Sequence, residues 1–585
     1  TFGHVKMQLY NDIYNTRISY PTFTILLAIA DVKACFHFPR IHADLTGAFG
    51  FLSGGYFNLA TAMLFGSTTS TSSWEPFRRA IQALTVFYAH RRNLIKKHKK
   101  NLDMISWAPI DPSPDLTKAV PCSINTRVIN DQGTKVPLPA RIYVDDALTL
   151  ATSKESMEQV LASLIKAIFA VMGGPDTSVR QCSLAMDKWE KLHIAPIQTM
   201  LGLVIDTNRM TVSVPDDYIQ SIRLLIDSTR HTHRKRFTVK EAQELTGKLG
   251  HLAKGANWVF HLLTHLYASI AYAPSKNKRF MEDSSPEFQT LIKSLRSGYF
   301  FCNVKDQIRH ISYAIKHSAK LVHQSRCQYN ITKSMRQEIE FFREKLLPTS
   351  KICWESPIAH IIPRIPTFTT FGDSCLEGAG GDSLSLGFWW HLPFPEEVKL
   401  RTLLHKRDNA DGLLISINVL KFVTVIINYC ATLHMVLTKK TTSNPYPVLI
   451  NVTDNLSALS WTTGACCKSR IGRLLARFFC SLLINSPLGI NSQWISTLHN
   501  AIADDISCAK TAASESTHSY PSFDYSSLQQ KYPELSHCSF FQPAPELISL
   551  IWEIVLTERS PFHDKIRRLK LRPLGNLTTS SGVQS

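Results

Sequence analysis

The chain has 585 residues, of which 44% are hydrophobic and 19% charged, with a net charge of +19. That length exceeds a single core and predicts three or four domains, and the balance of residues excludes a disordered chain. The basic excess points to a polyanionic partner, either nucleic acid or an anionic membrane surface.

No run of about 18 consecutive apolar residues occurs, so no membrane span is expected. The 13 cysteines form no Cys-x-x-Cys pair. This argues for reduced intracellular thiols in the cytoplasm or nucleus, and against structural zinc. The opening Thr1-Phe2-Gly3-His4 is neither a signal peptide nor a starting Met, which reads as a fragment.

In chain order, residues 20–36 read as a buried strand ending at the acid Asp31. Leu64–Phe77 reads as a polar loop around Gly66, with Ser70 in its hydroxyl run. The basic run at 90–100 is either a solvated helix face or a duplex-backbone contact. Residues 140–151 are two apolar runs flanking Asp145-Asp146, a hairpin signal, and 154–172 have helical periodicity. Thr238 to Glu241 is a capping box opening a helix with Ala242, Leu245, Leu249 and Leu252 on its apolar side. Residues 273–286 read as a linker or exposed loop. A helix carrying Met335, Ile339, Phe342 and Leu346 ends at Leu347-Pro348. Residues 365–510 alternate strand-like and helix-like runs, as in a small α/β domain. Residues 511–530 read as a loop, and the basic stretch Lys565–Arg572 leads into a polar tail.

The chemistry concentrates at Tyr143-Val144-Asp145-Asp146. Two adjacent carboxylates on a stiff turn suit Mg²⁺, which takes hard oxygen ligands and leaves positions for phosphate oxygens. Alone, an Asp-Asp turn is a solvated surface feature. Asp31 could supply a third acid, and Phe36, five residues on, a ring to lie under an incoming sugar; alone they read as a strand-terminal acid and a core Phe. Gly66 permits close backbone approach and Ser70 could contact template or nucleotide, although by itself this stretch is only a flexible loop.

Taken together and in this order, the motifs resemble those of reverse transcriptases over about residues 20–270. Asp31 to Phe36 resembles the first palm motif, Gly66 to Trp74 the template-gripping motif, and Tyr143 to Asp146 the signature hairpin. Met200-Leu201-Gly202 through Asp206 is similar to the primer-grip hairpin, and the Thr238 helix to the thumb and connection. Thr71 stands where that family usually has Pro. Only 30 residues precede Asp31, so the resemblance implies that most of the fingers lie outside this chain. It also implies that Asp31, Asp145 and Asp146 hold two Mg²⁺, with Mn²⁺ as the alternative, and that Phe36, Gly66, Ser70 and Tyr143 bind nucleotide and template.

Further on, Asp373 and Asp454 each end a strand-like run, and Asp504 opens a late helix. Acids in this order resemble the ribonuclease H fold of gypsy-type and DIRS-type retroelements. Their helix pattern Ile-Asn-x-Leu-Glu-Phe is matched by Ile417-Asn418-Val419-Leu420-Lys421-Phe422, which puts a cation where the family has a metal ligand.

The resemblance implies an α+β multidomain protein, a right-hand polymerase palm and thumb followed by a ribonuclease H-like α/β domain. The expected layout is a palm over 1–195, a mostly helical thumb and connection over 196–330, a ribonuclease H-like domain over 331–510, and a loop and helical tail of unplaced role over 511–585. The implied activity is that of a retrotransposon RNA-directed DNA polymerase with an impaired nuclease domain. Its implied partners are RNA template, DNA primer, RNA–DNA hybrid and deoxynucleoside triphosphates, with no membrane. Two alternatives remain: a decayed remnant that binds nucleic acid without catalysis, and a structural nucleoprotein using its basic surface alone. The sequence leaves the oligomeric state open.

Overall fold

The computed structural model describes residues 3–33, 35, 51–53, 56–58, 70–97, 128–129, 135–136, 140–173, 184–229, 235–263, 266–267, 328–347, 349–350, 352–362, 364–406, 414–439, 446–463, 467, 469–509, 525–559 and 573–578. They are mixed helix and sheet, arranged in two compact units. The expected linker at 273–286 lies outside the described residues.

The first unit holds Thr1–Pro215. Helix α1 (Gly3–Ser19) precedes strand β1 (Leu26–Asp31). A hairpin comes after helix α2 (Ser70–Lys97): β2 (Ala140–Tyr143) and β3 (Asp146–Ala151). The order β1-β3-β2 gives a small antiparallel sheet. Helix α3 (Lys154–Met172) packs on it; the Ser153 side chain caps its start, and Gly173, at φ 88°, ends it. The expected loop over Leu64–Phe77 gives way to α2 from Ser70 onward. Trp74, Phe77 and Ile81 recur at helical spacing, and their burial against the sheet outweighs the hydroxyl-rich composition of the helix start.

Three short strands, β4 (Ile197–Met200), β5 (Leu203–Asp206) and β6 (Thr211–Ser213), close this unit. The first unit runs on through these strands to Pro215. The cause is pairing: Leu27 and Ala195 exchange backbone hydrogen bonds of 2.9 and 3.2 Å, and the Thr207 hydroxyl donates to Ile25 O at 2.6 Å. The Met200–Asp206 hairpin turns through Leu201 and Gly202, at φ 53° and 73°. Two consecutive left-handed residues are what a two-residue hairpin turn requires.

The second unit holds Asp216–Ala271, Gln328–His360 and Arg364–Ser585. Helices α4 (Asp216–Thr229), α5 (Val239–Gly255) and α6 (Lys333–Lys345) precede its sheet. The Thr238–Glu241 capping box is formed at the start of α5. These helices and the sheet fall in the same unit. His261 meets Phe479 edge to face at 5.8 Å, Trp258 meets Trp354 at 5.1 Å, and Arg477 pairs with the buried Glu338 at 3.0 Å.

The main sheet has seven strands. In chain order they are β7 (Phe368–Ser374), β8 (Gly378–Ser383), β9 (Phe388–Pro393), β10 (Val448–Thr453), β11 (Gly489–Trp494), β12 (Ser539–Pro543) and β13 (Gly575–Thr578). In space they run β11-β10-β7-β8-β9-β12-β13. Its helices are α7 (Glu396–Lys406), α8 (Ile417–Lys439), α9 (Leu456–Thr462), α10 (Arg470–Leu483), α11 (Ala501–Cys508) and α12 (Pro545–Thr557). The described residues 525–559 and 573–578 belong to this unit. The pairs Phe388↔Ser539 and Phe541↔Leu577 extend the sheet at the β9 edge, which would otherwise leave its backbone groups unpaired.

Helix α8 is apolar around most of its circumference, and Ile417–Thr438 is long and apolar enough to cross a membrane by length and composition. In the structure it is the core helix of this unit, buried among Phe368, Trp390, Phe479 and Phe541.

Candidate functional site

Two acidic clusters form, one in each unit. In the first, antiparallel pairing sets Asp31 opposite Asp146. The β2–β3 hairpin pairs Tyr143 with Asp146, leaving Val144 and Asp145 as its two-residue tip. Val144 sits at φ 58°, a region costly for a β-branched residue. The strain is held from both sides: Trp74 Nε1 donates to Val144 O at 2.7 Å, and Val32 N donates to Asp145 O at 2.9 Å. Arg78, bound to Glu75 at 2.7 Å, also donates to Ile142 O. Behind the hairpin, Arg141 and Asp12 form a buried ion pair of 2.6 Å that fastens α1 to β2.

Burial, then the charges of Asp145 and Asp31, push the Asp146 carboxyl up to about 6, against a smaller pull from Lys188. The Lys188 ammonium is ion-paired to Asp31, and Trp189 Nε1 donates to Asp31 O at 2.9 Å. Lys188 is 61% exposed while Asp31 is 8% exposed, so the cation reaches the cluster from solvent. The bond to Asp31 raises the Lys188 pKa.

Sequence reasoning missed Lys188, Trp189 and the Asp12–Arg141 pair. Nothing in their spacing marks them; the only local signal was the Lys188-Trp189 dipeptide after a short apolar stretch. Asp31, Asp145 and Asp146 are brought together, with Tyr143 on the adjoining strand. Phe36 and Gly66 lie outside the described residues, and of Ser70 only the backbone at the start of α2 is described.

The second cluster forms where parallel strands β7 and β10 end. Their register Phe371↔Val452, carried on by two residues, sets Asp373 beside Asp454. Helix α8 comes close because β7 and β8 carry glycine beneath it. A Cβ on Gly372 would lie 2.6 Å from Asn428 Nδ2, and one on Gly381 would lie 2.5 Å from Asn428 Oδ1. Asn428 fixes the approach by donating to Asn451 Oδ1 at 2.8 Å and accepting from Trp390 Nε1 at 2.8 Å. Two turns back on the same face, Lys421 Nζ lies 2.6 Å from Asp373 and 2.5 Å from Asp454. Asp504, on α11, lies near enough to the Asp373 carboxyl to raise its pKa. Thr497 donates to Asp454 Oδ2 at 3.0 Å, and Trp494 Nε1 to Asp454 O at 3.0 Å.

Lys421 is 13% exposed and Asp373 4%. Burial pushes the Asp373 carboxyl up to about 7, opposed by the Lys421 ammonium and reinforced by Asp504 and Asp454. The two carboxylates raise the Lys421 pKa against its own burial, which keeps the ammonium charged.

Both clusters have the hard oxygen donors that suit Mg²⁺. Among the described residues, no group of three or more His, Cys, Asp or Glu side chains is arranged to hold a metal ion. In each cluster a lysine ammonium lies against the carboxylates instead.

No family model matches the chain, and no curated protein matches it. Among solved structures it is similar to the foamy viral protease-reverse transcriptase in complex with RNA/DNA hybrid, at TM-score 0.30 and 11% identity over 85% of this chain and 46% of that one. It is also similar to the foamy viral protease-reverse transcriptase dRH in complex with double-stranded DNA, at TM-score 0.30 and 11% identity over 80% and 56%. A third, in complex with double-stranded DNA, aligns at TM-score 0.26 and 11% identity over 81% and 68%. The chain spans about half the length of the first two.

Proposed function

We propose that the first unit is the palm of a retroelement RNA-directed DNA polymerase, which extends a DNA primer on an RNA template with deoxynucleoside triphosphates. The second unit is then the thumb joined to a ribonuclease H-like domain that no longer cleaves. The observation that carries the reading is the pairing of Asp31 with Asp146 beside Asp145, acids far apart in sequence that share one end of a rigid sheet.

Asp31, Asp145 and Asp146 would hold two Mg²⁺, or Mn²⁺. The raised Asp146 pKa is in keeping with this: burial is its first cause, and the crowded charges of Asp145 and Asp31, which a divalent cation would relieve, are the next. When bound, the ions supply activation of the primer 3′-hydroxyl and neutralisation of triphosphate charge. The protein's own part is positional. Strand pairing fixes the acids, while Trp74 and Val32 hold the tip in its strained conformation. The Lys188 ammonium pairs with Asp31 from an exposed side chain. Tyr143 and Phe36 would shape the nucleotide pocket, and Gly66 and Ser70 would meet template.

In the second unit Lys421 fills the space between Asp373 and Asp454 with a fixed positive charge. This disfavours Mg²⁺ there by direct repulsion. It also favours a second reading, a remnant that binds hybrids and catalyses nothing. One experiment separates the two: extension of a labelled DNA primer on an RNA template with Mg²⁺. Extension that Asp145→Asn and Asp146→Asn abolish supports the polymerase. Duplex binding that weakens steeply with salt, with no extension by the parent chain, overturns it in favour of the remnant.

A further inference from the structure

Two thiols gather at Ser507 beside the second cluster, and glycine is the reason. Strand β8 carries Gly378 and Gly380, and helix α11 lies directly on its backbone. A Cβ on Gly380 would come within 2.5 Å of Ile506 Cγ2 and 2.7 Å of Ser507 N; one on Gly378 would lie 3.3 Å from Ser507 O. Cys375 comes directly after the last residue of β7 and donates its backbone N–H to Gly378 O at 3.0 Å, closing the turn into β8. Its Sγ lies 3.2 Å from Ser507 O. Cys508, the last residue of α11, directly follows Ser507, and its Sγ lies 3.6 Å from Ser507 Oγ, so both sulfurs sit against one residue. Both are free thiols, Cys508 exposed and Cys375 half-buried.

We propose that Cys375 and Cys508 are a modification site, closing to a disulfide when the protein meets a small disulfide oxidant such as oxidised glutathione. One thiol, as thiolate, attacks a sulfur of the oxidant and expels one reduced glutathione. The second attacks the mixed disulfide at the protein sulfur and expels the other. Two protein thiols are oxidised, one glutathione disulfide is reduced, and the two protons leave with the two glutathione thiols. The bond would clamp the strand bearing Asp373 to the helix bearing Asp504.

The test treats the full chain with oxidised glutathione, then maps its cysteines by differential alkylation and mass spectrometry. The expected result is a Cys375–Cys508 cross-linked peptide and an intact mass lower by two hydrogens. Thermal unfolding of the second unit should rise by on the order of 5 °C, because the bond closes a long loop. Cys375→Ser and Cys508→Ser should each lose both effects, while replacing the exposed Cys353 should lose neither. A glutathione adduct that stays on Cys508, alkylation of both thiols after oxidation, or a dominant bond from either thiol to another cysteine would overturn the proposal. The wild-type map decides this even where a variant folds poorly.

Discussion

The two acidic clusters use the same parts in different surroundings. Each sets carboxylates at the end of paired strands and each has a lysine ion-paired to them. In the first unit the lysine stands on the rim, 61% exposed, and pairs with one acid. In the second it lies inside, 13% exposed, and bridges two. An exposed ammonium loses little on returning to water, so a metal could displace it. A buried one has no such route, because leaving would strand its partners without compensation. The position of the cation in the fold, rather than its presence, separates a cluster that can exchange it from one that is locked.

The largest test of this contrast is Lys421→Ala. Removing the ammonium leaves Asp373 and Asp454 unpaired and nearly buried, and should lower the stability of the second unit by about 3–5 kcal/mol in urea unfolding. Lys421→Glu goes further: the second unit should then be stabilised by Mg²⁺ and should cleave the RNA strand of a labelled RNA–DNA hybrid, whereas the parent should not. Clear cleavage by the parent breaks the contrast, and inertness of both shows that Lys421 alone does not account for the loss.

A medium effect is expected in pH. The Asp146 carboxyl is raised from 3.8 to about 6, so the folded chain holds its proton where the unfolded chain has released it. That contribution to stability is complete below the lower value and is lost as pH rises to the upper one. The loss should be roughly 1–2 kcal/mol after allowing for solvent. Unfolding midpoints between pH 4 and 7 should fall accordingly, and Asp146→Asn should flatten the profile. A profile that rises through this window would show that Lys188 dominates the cluster.

Smaller still, Val144→Gly should raise the stability of the first unit by about 1 kcal/mol by relieving the left-handed tip, while slackening the acids it positions. Matched stability and primer-extension assays would show the two moving in opposite directions. The smallest change belongs to Lys188→Ala, at most about 0.5–1 kcal/mol, since its pair with Asp31 is solvated on the lysine side. A loss as large as that of Lys421→Ala would erase the distinction between rim and interior.

The sequence by itself determined the elements and the order of the acids. The helix over 154–172 and the Thr238 capping box form where the pattern places them, and the hairpin around Asp145-Asp146 and the strand before Asp31 form as the apolar runs require, because these signals are local. Which residues meet was decided only in three dimensions. Strands β12 and β13 joined the main sheet because an open edge takes whichever strand can pair with it, which no local pattern records. Gly380 let α11 settle on the β8 backbone, with Ile506 and Ser507 in the space left empty by a missing side chain. The family pattern singled out Lys421 and not Lys188, and it said nothing of burial. Two lysines alike in composition differ in exposure because one rides a core helix over glycine-bearing strands and the other a single turn at the surface. Solvation is a property of the whole fold, so it could be read only there.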